Sequence, residues 1–149
     1  MLRDKNLISF SHQHQHALAL CVRIERALQH SEVDMLEWEE EIVRMFDTEL
    51  ELHFESEERY VFPSVARFDE MRELLERLNS DHTRLRVQGM EARQHQLDRE
   101  GLERFARVLS DHVRAEERLL FEQMQQKLSP TELERIGTST NGFLKERST

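Results

Sequence analysis

The chain has 149 residues, of which 34% are charged, and its formal net charge is -9. This length suits one domain with a sizeable core, and the excess of acidic residues argues against binding to a phosphate backbone, which requires a basic surface. No stretch of about 20 apolar residues is present to cross a bilayer, and the N-terminal segment MLRDKNLISF lacks the apolar run of a signal peptide. The single cysteine, Cys21, excludes an intramolecular disulfide. We therefore expect a cytoplasmic protein with neither nucleic acid nor membrane as a partner.

Apolar residues recur every three or four positions in four long stretches, a pattern typical of helices that bury one face. This spacing predicts helices near residues 4–29, 32–67, 69–97 and 100–127. We expect an irregular loop around 30–37, with Ser31 as the N-cap of the second helix. Pro63 should end or bend that helix. The predicted fold is an all-α, up-down-up-down antiparallel four-helix bundle.

The C-terminal part of the sequence predicts a short additional helix and a tail. In the segment SPTE at 129–132, Ser129 can cap a helix, proline suits its first position, and Glu132 can reach back. We expect this fifth helix over about 130–136, so that the domain covers 1–136. The remaining residues, 137–149, contain two glycines and small polar residues, which predicts a flexible or loosely docked tail.

Ionisable residues interrupt the apolar face of each of the four long helices. They are His14 on the first helix, His53 and Glu57 on the second, His82 on the third, and His112 with Glu116 on the fourth. A His and a Glu four positions apart project from the same side of a helix. Because short loops bring residues at equal distances from a turn into one layer, these six side chains should meet. Burying them without a partner would cost several kcal/mol, and a pair of metal ions would satisfy them.

Other residues near this layer have less specific patterns. Tyr60 lies one turn beyond Glu57, where it is either a donor to a small ligand or a core aromatic. Glu58 and Glu117 lie about 140° around the helix from the histidines, which favours solvent or an outer contact with the site. We expect His12 and His16 on the surface and His30 and His95 near helix ends. Apolar side chains should surround the six-residue site: Leu50, Leu78, Leu85, Leu109 and Leu119.

The pattern resembles the hemerythrin family, in the bacterial branch of HHE cation-binding domains, over roughly residues 5–127. That family has a His on the first helix, H-x-x-x-E on the second, a His on the third and H-x-x-x-E on the fourth, and the segments SHQHQHAL and HFESEERYVFP also match it. The resemblance implies two non-haem iron ions with an oxo or hydroxo bridge. It implies His14, His53, Glu57, His82, His112 and Glu116 as ligands, with Glu117 as an alternative to Glu116.

Two differences from the oxygen-carrying hemerythrins bear on function. The carriers have a second His four residues from the first on the third helix, whereas this chain has Leu78 and Arg86 there. They also have an Asp five residues after the fourth-helix His, which corresponds to Glu117 rather than to Glu116. A more open site favours small ligands such as dioxygen, peroxide, nitric oxide or azide-like anions, for sensing or detoxification.

Other functions are compatible with the sequence and are kept as alternatives. An iron buffer or metal-responsive regulatory protein would use the same residues without turnover. A ferritin-like di-iron carboxylate bundle has paired Glu-x-x-His motifs, and no Glu lies three residues before a His here. A bundle without metal would leave the four histidines unexplained. The sequence gives no indication of a protein partner.

Overall fold

The computed structural model describes residues 2–147, which contain helices and no strand. Helix α1 spans Ile8–Ala27, α2 spans 35–65, α3 spans Arg72–Arg93 after a 3₁₀ turn at Asp69–Met71, α4 spans 99–127 and α5 spans Pro130–Arg147. The prediction of an all-α chain is therefore confirmed. No helix within residues 2–147 is long and apolar enough to span a membrane.

The connection between α1 and α2 differs from the prediction in its cap. Helix α1 ends at Ala27 and α2 begins at Met35, so a loop is present, but it covers residues 28–34 instead of about 30–37. The N-cap of α2 is Asp34, whose carboxylate accepts a hydrogen bond from the backbone N–H of Glu37 at 3.2 Å. The prediction of Ser31 as the cap is wrong, because the helix begins three residues later than the Ser31 cap requires.

Within residues 2–147, three helical turns are wider than α-helical turns. The backbone N–H groups of Glu51, Phe62 and Phe121 donate to the carbonyl oxygens five residues earlier, which makes π turns of Phe46–Leu50, Glu57–Val61 and Glu116–Leu120. The first two lie in α2 and the third in α4. Each wider turn contains one extra residue, so the buried face continues one position later than an α-helical count predicts.

The long helices bury two apolar clusters, and residues of both clusters flank the six ionisable residues in the sequence. Helix α1 packs along α4, α2 along α3, and α3 along α4. One cluster includes Ala17, Ile24, Leu50, Leu85 and Leu109, and the other includes Phe10, Val61, Leu78, Leu120 and Phe121. A Cβ on Gly89 of α3 would lie 2.8 Å from Cε2 of Phe46, so glycine permits the close approach of α3 to α2.

Helix α5 is longer than the sequence predicts. The capping box is confirmed, since Glu132 N–H donates to Ser129 Oγ and Ser129 N–H donates to Glu132 Oε1, both at 3.1 Å. The predicted end near residue 136 is wrong, because the helix continues to Arg147 and packs against α2. A Cβ on Gly137 would lie 2.6 Å from Asn6 Oδ1, so this glycine marks a close contact with the N-terminal segment rather than a helix end. Residues 148 and 149 of the predicted tail lie outside the described residues.

Candidate metal centre

The six predicted ligand side chains meet in one buried layer between the helices. Helices α1 and α3 each contribute one histidine, and α2 and α4 each contribute a histidine and the glutamate one turn later. None of the six is more than 3% exposed: His14, His53, Glu57, His82, His112 and Glu116. The sequence predicted this juxtaposition, and the chain brings all six together.

The six side chains form two overlapping groups of four. In each group, one ligand atom per residue can be chosen so that all four lie within 4.8 Å of one another. One group, the α1–α2 position, consists of His14 and His53 with the two glutamates. The other, the α3–α4 position, consists of His82 and His112 with the same two glutamates, Glu57 and Glu116. Each group could hold a metal ion, and the two groups share both carboxylates.

The histidine nitrogens that face the centre are the Nε2 atoms. The Nε2 atoms of His14 and His53 are 3.0 Å apart, and those of His82 and His112 are 3.2 Å apart. Two ligands at right angles around one ion, each at about 2.1 Å, would be separated by about 3.0 Å. The spacing within each histidine pair therefore fits two neighbouring ligands of one metal ion.

Each glutamate extends one oxygen toward each position. Glu57 Oε1 lies 3.0 Å from Nε2 of His82, and its Oε2 lies 3.2 Å from Nε2 of His53. Glu116 Oε1 lies 2.9 Å from Nε2 of His14, and its Oε2 lies 3.4 Å from Nε2 of His112. This is the geometry that a carboxylate needs to bridge two ions.

Some of the buried oxygen atoms are left without hydrogen bonds. Among the described residues, neither Glu57 Oε2 nor Glu116 Oε2 has a hydrogen-bond partner, although both atoms are inaccessible to solvent. A buried unpaired acceptor of this kind costs about 1–3 kcal/mol, and more when it carries charge. Bound cations would satisfy both oxygens, so the donor set fits a pair of metal ions.

The electrostatics of the layer stabilise positive charge. Burial alone would lower the pKa of His53, but the negative charges of Glu57 and Glu116 outweigh it and raise this pKa to about 9. Burial would raise the pKa of Glu116, yet the charge of His112 and hydrogen bonds hold it well below its usual value. The pKa values of the other three histidines are also raised, because their carboxylate neighbours outweigh the effect of burial: His14, His82 and His112.

Aromatic rings hold the histidine rings in place. Phe54 stacks on His82 with ring centroids 4.1 Å apart, and Phe62 stacks on the same imidazole at 5.3 Å. Phe121 stacks on His14 at 5.6 Å with an angle of 14° between the ring planes. Rings packed in this way keep the Nε2 atoms directed at the centre before a ligand binds.

The π turns account for two differences from the predicted site. Tyr60, which the alternating three- and four-residue spacing directs inward, is half-buried, and its ring packs against Phe143 of α5 with centroids 5.9 Å apart. Val61, one position later, is completely buried. In α4 the predicted wall residue Leu119 is 48% exposed, and Leu120 is buried instead. Both shifts follow the wider turns that begin at the two glutamates.

The remaining acidic and histidine candidates lie outside the six-residue layer. Glu117 Oε2 accepts a hydrogen bond from Ser11 Oγ at 2.9 Å and lies 3.5 Å from His14 Nδ1, so it approaches the outer side of that ring. Glu58 contacts His82 Nδ1 at 2.7 Å, as an outer contact of the site requires. The other four histidines are exposed: His12, His16, His30 and His95.

Sequence reasoning missed several residues that contact the histidines from outside. Gln13 Oε1 lies 2.6 Å from Nδ1 of His53, and Asp81 Oδ2 lies 3.0 Å from Nδ1 of His112. Arg86 donates to Glu58 at 2.7 Å. Each of these contacts joins two helices, so it cannot be predicted from the spacing of residues within one helix. The one indication in the sequence that these residues lie near the site is that Gln13 precedes His14 and Asp81 precedes His82.

A small apolar cavity adjoins the layer. His14, His53 and His112 line it together with the mostly apolar residues Ala17, Leu50, Phe54, Leu109 and Val113. The centre of a water-sized molecule can move within a volume of about 10 Å³ in this cavity. This is room for about one such molecule. The cavity therefore suits a very small, weakly polar ligand next to the histidines.

Comparison with known proteins identifies the domain. The family model described as the hemerythrin HHE cation binding domain matches residues 9–124, which include all six candidate ligands. Searches of curated proteins and of solved structures found no match to this chain. On the strength of the family match over most of its length, the chain belongs to the hemerythrin HHE cation-binding domain family.

Proposed function

We propose that this protein binds two non-haem iron ions joined by an oxo or hydroxo bridge and takes up dioxygen or a related small ligand at them. Peroxide and nitric oxide are the related ligands, and the role is oxygen or redox sensing, or detoxification. The observation that carries the proposal is the pair of overlapping ligand groups that share Glu57 and Glu116. The ligands are His14, His53, Glu57, His82, His112 and Glu116.

The donor set supports iron as the metal. Neutral imidazole nitrogens combined with carboxylate oxygens suit iron, whereas a site for calcium or magnesium would be built from oxygens. The family match describes a cation-binding domain in general terms. When bound, the two iron ions would supply the electron exchange with the small ligand.

The protein's own residues would orient the ions and exclude water. The two glutamates would hold both ions, since each extends one oxygen toward each position. The stacked aromatic rings restrict movement of His14 and His82. The apolar cavity limits access to small, weakly polar molecules, and the low local polarity strengthens the electrostatic interactions in the site.

The contacts of Arg86 support a site more open than that of the oxygen carriers. Arg86 occupies one of the two places where a fifth histidine could lie, and its guanidinium is engaged by Glu58 and Glu51. The other place is Leu78, which is completely buried and apolar. Four histidines and two glutamates that each contacted both ions would fill about eight of the roughly twelve positions of two octahedral ions, and an oxo or hydroxo bridge would fill two more. We infer that about two positions admit exogenous ligands.

The packing supports an antiparallel bundle as the frame of this site. Helices α2 and α3 and helices α3 and α4 pack along each other across short connections, which favours an up-down-up-down arrangement. A mobile C-terminal tail, which the sequence predicts over residues 137–149, would favour the alternative of a metal-responsive regulator. Since residues 137–147 are helical and dock on α2, no observation favours that alternative over ligand binding.

The test is the iron content and ligand response of the protein purified without oxygen. We expect about two irons per chain and a change in the absorption spectrum on addition of dioxygen, azide or peroxide. His53→Ala should abolish the spectral change, because this ring lies in the centre and is 2% exposed. His30→Ala is the matched control, because its side chain is exposed outside the layer. Iron content well below two per chain in the wild-type protein would overturn the proposal.

Catalysis is distinguished from carriage in the same preparation. Continuous consumption of peroxide or nitric oxide by the iron-loaded protein would establish an oxidoreductase. A dioxygen spectrum that disappears on degassing, without consumption of either molecule, would establish reversible binding. In both cases the His53→Ala protein should be inactive and the His30→Ala protein should match the wild type.

A further inference from the structure

The outward-facing Nδ1 atoms of the four histidines have different partners at the two metal positions. At the α3–α4 position, Nδ1 of His82 contacts Glu58 Oε2 at 2.7 Å and Nδ1 of His112 contacts Asp81 Oδ2 at 3.0 Å. Both partners are carboxylates. A carboxylate that accepts the Nδ1–H of a metal-bound histidine raises the basicity of the other ring nitrogen and fixes the ring orientation.

The carboxylate beside His82 is itself held in place. Arg86 donates to Glu58 through Nη1 at 2.7 Å and through Nη2 at 3.2 Å, and its guanidinium also binds Glu51. This two-pronged contact restricts the Glu58 carboxylate to one orientation. Because Glu58 is anchored from the far side, its hydrogen bond to His82 costs little additional ordering when a metal binds.

The α1–α2 position has weaker outer partners. Nδ1 of His53 contacts the neutral amide oxygen Oε1 of Gln13 at 2.6 Å. Nδ1 of His14 has no hydrogen-bond partner among the described residues, and the nearest carboxylate oxygen, Glu117 Oε2, is 3.5 Å away. That oxygen already accepts a hydrogen bond from Ser11, and Arg3 Nε lies 3.8 Å from it. At this position one histidine therefore faces a neutral amide, and the other faces a carboxylate that lies farther away than Glu58 and Asp81 lie from their histidines.

The inner ligands do not compensate for this difference. Each position has two histidines, and each receives one oxygen from Glu57 and one from Glu116. The distances from these oxygens to the nearest Nε2 atoms are 2.9 and 3.2 Å at the α1–α2 position and 3.0 and 3.4 Å at the α3–α4 position. With inner ligands so similar, the outer partners decide the order of affinity.

We propose that the two metal positions are unequal, such that the α3–α4 position binds a divalent ion first and tightly while the α1–α2 position holds a weaker, exchangeable ion. This inference rests on the proposed function, because it requires two ions. Asp81 and Glu58 are positioning residues for the tight ion, and Gln13 keeps the other ion weak. The weaker position also borders the cavity more closely, since both of its histidines line that space and only His112 of the other pair does.

The test is a titration of the metal-free protein with cobalt(II), a spectroscopic substitute for iron(II), followed by calorimetry and absorption. The wild-type protein should bind two ions in two resolved steps. Asp81→Asn gives His112 the neutral amide acceptor that His53 already has, so it should weaken the tighter step by about 10–100-fold. Asp111→Asn is the matched control, because Asp111 is an exposed residue of the same surface groove with no such contact.

The reciprocal variant is Gln13→Glu, which places a carboxylate next to Nδ1 of His53. It should strengthen the weaker step by about 10–100-fold and bring the two steps closer together. Gln15→Glu adds the same charge to an exposed position of α1 and should leave both steps unchanged. Because Gln13→Glu removes no native contact with a carboxylate, it tests the proposal even if Asp81→Asn impairs folding.

The outcomes separate this proposal from the proposed function. Two ions that bind in a single step of equal affinity would overturn the inequality and leave the two-metal centre standing. The same holds if Asp81→Asn weakens only the second step or if Gln13→Glu behaves like Gln15→Glu. Binding of fewer than two ions to the wild-type protein would overturn both proposals.

Discussion

Replacement of Leu109 by alanine should enlarge the cavity beside the metal centre and speed the entry of small anions. Leu109 is completely buried in α4 and lines the cavity together with the histidines. The substitution removes about three carbon atoms, a volume comparable to the three nitrogens of azide. In the wild-type protein, entry of azide must displace packed side chains, because the cavity accepts about one water-sized molecule.

The expected magnitudes follow from the burial of this side chain. A buried Leu→Ala substitution destabilises by about 2–5 kcal/mol, and for a protein of this size each kcal/mol lowers Tm by about 2–4 °C. Forcing extra atoms into a packed core costs about 1–3 kcal/mol. If Leu109→Ala removes that cost from the entry step, the association rate of azide should rise by about 5- to 150-fold.

The control variant must lower the free energy of unfolding by a similar amount without enlarging the cavity. Leu102 is completely buried in the same helix and the same apolar cluster, but it does not line the cavity. Leu102→Ala should therefore lower the free energy of unfolding by a similar amount and leave the azide association rate unchanged. Urea unfolding and stopped-flow absorption of the iron-loaded proteins measure the two quantities. Equal acceleration in both variants, or none in Leu109→Ala, would refute the assignment of the cavity as the entry route.

Three further predictions concern stability and reactivity away from the metal ligands. Burial and, to a lesser degree, the charge of Glu25 raise the pKa of the Cys21 thiol to about 12. At pH 8 a thiol reagent should therefore modify this residue only after unfolding, as measured by mass spectrometry of native and denatured samples. Glu39→Ala should destabilise by about 1–3 kcal/mol in chemical unfolding, because the buried carboxylate accepts the backbone N–H of Leu97 at 3.1 Å; iron content should stay unchanged. Thr140→Val should raise the midpoint of thermal unfolding, because Thr140 Oγ1 is buried without a hydrogen-bond partner among the described residues.

The six-residue layer could be predicted from the sequence because it depends on local periodicity. A His and a Glu four residues apart share one side of a helix, and the apolar residues around them show which side is buried. For the second, third and fourth helices, the depth of each residue followed from its distance to the nearest turn. The count across the first connection fitted less well, and His14 was selected by its spacing on the apolar face. These rules needed no knowledge of side-chain contacts between helices, which is why all six residues were found.

The outer contacts of the histidines could not be predicted in the same way. Asp81 precedes His82 in α3, yet its carboxylate contacts His112 of α4. Gln13 likewise precedes His14 in α1 and contacts His53 of α2. Such pairs depend on the rotation and axial offset of two helices relative to each other, and a single sequence contains no measure of either.

The inward-facing positions after the two glutamates were missed for a related reason. Glu57 and Glu116 each begin a π turn, and the residue buried after each is four positions later, Val61 or Leu120, instead of three. The strict alternation of three- and four-residue steps along each apolar face selects Tyr60 and Leu119, because it places a step of three after each glutamate. Nothing in the composition of the two turns indicates the extra residue.

The repetition of this irregularity connects the site to the fold. The segments that begin at His53 and His112 have the same order of a histidine, a glutamate and a π turn, and both turns end in a residue of the same apolar cluster. A π turn has less regular hydrogen bonding than an α turn, so it persists where packing supports it. Val61 and Leu120, both completely buried, supply that packing directly after the carboxylates. The six-residue layer therefore lies where α2 and α4 change the face that they bury, and the cluster beyond it holds the glutamates where each belongs to both of the groups that could bind a metal ion.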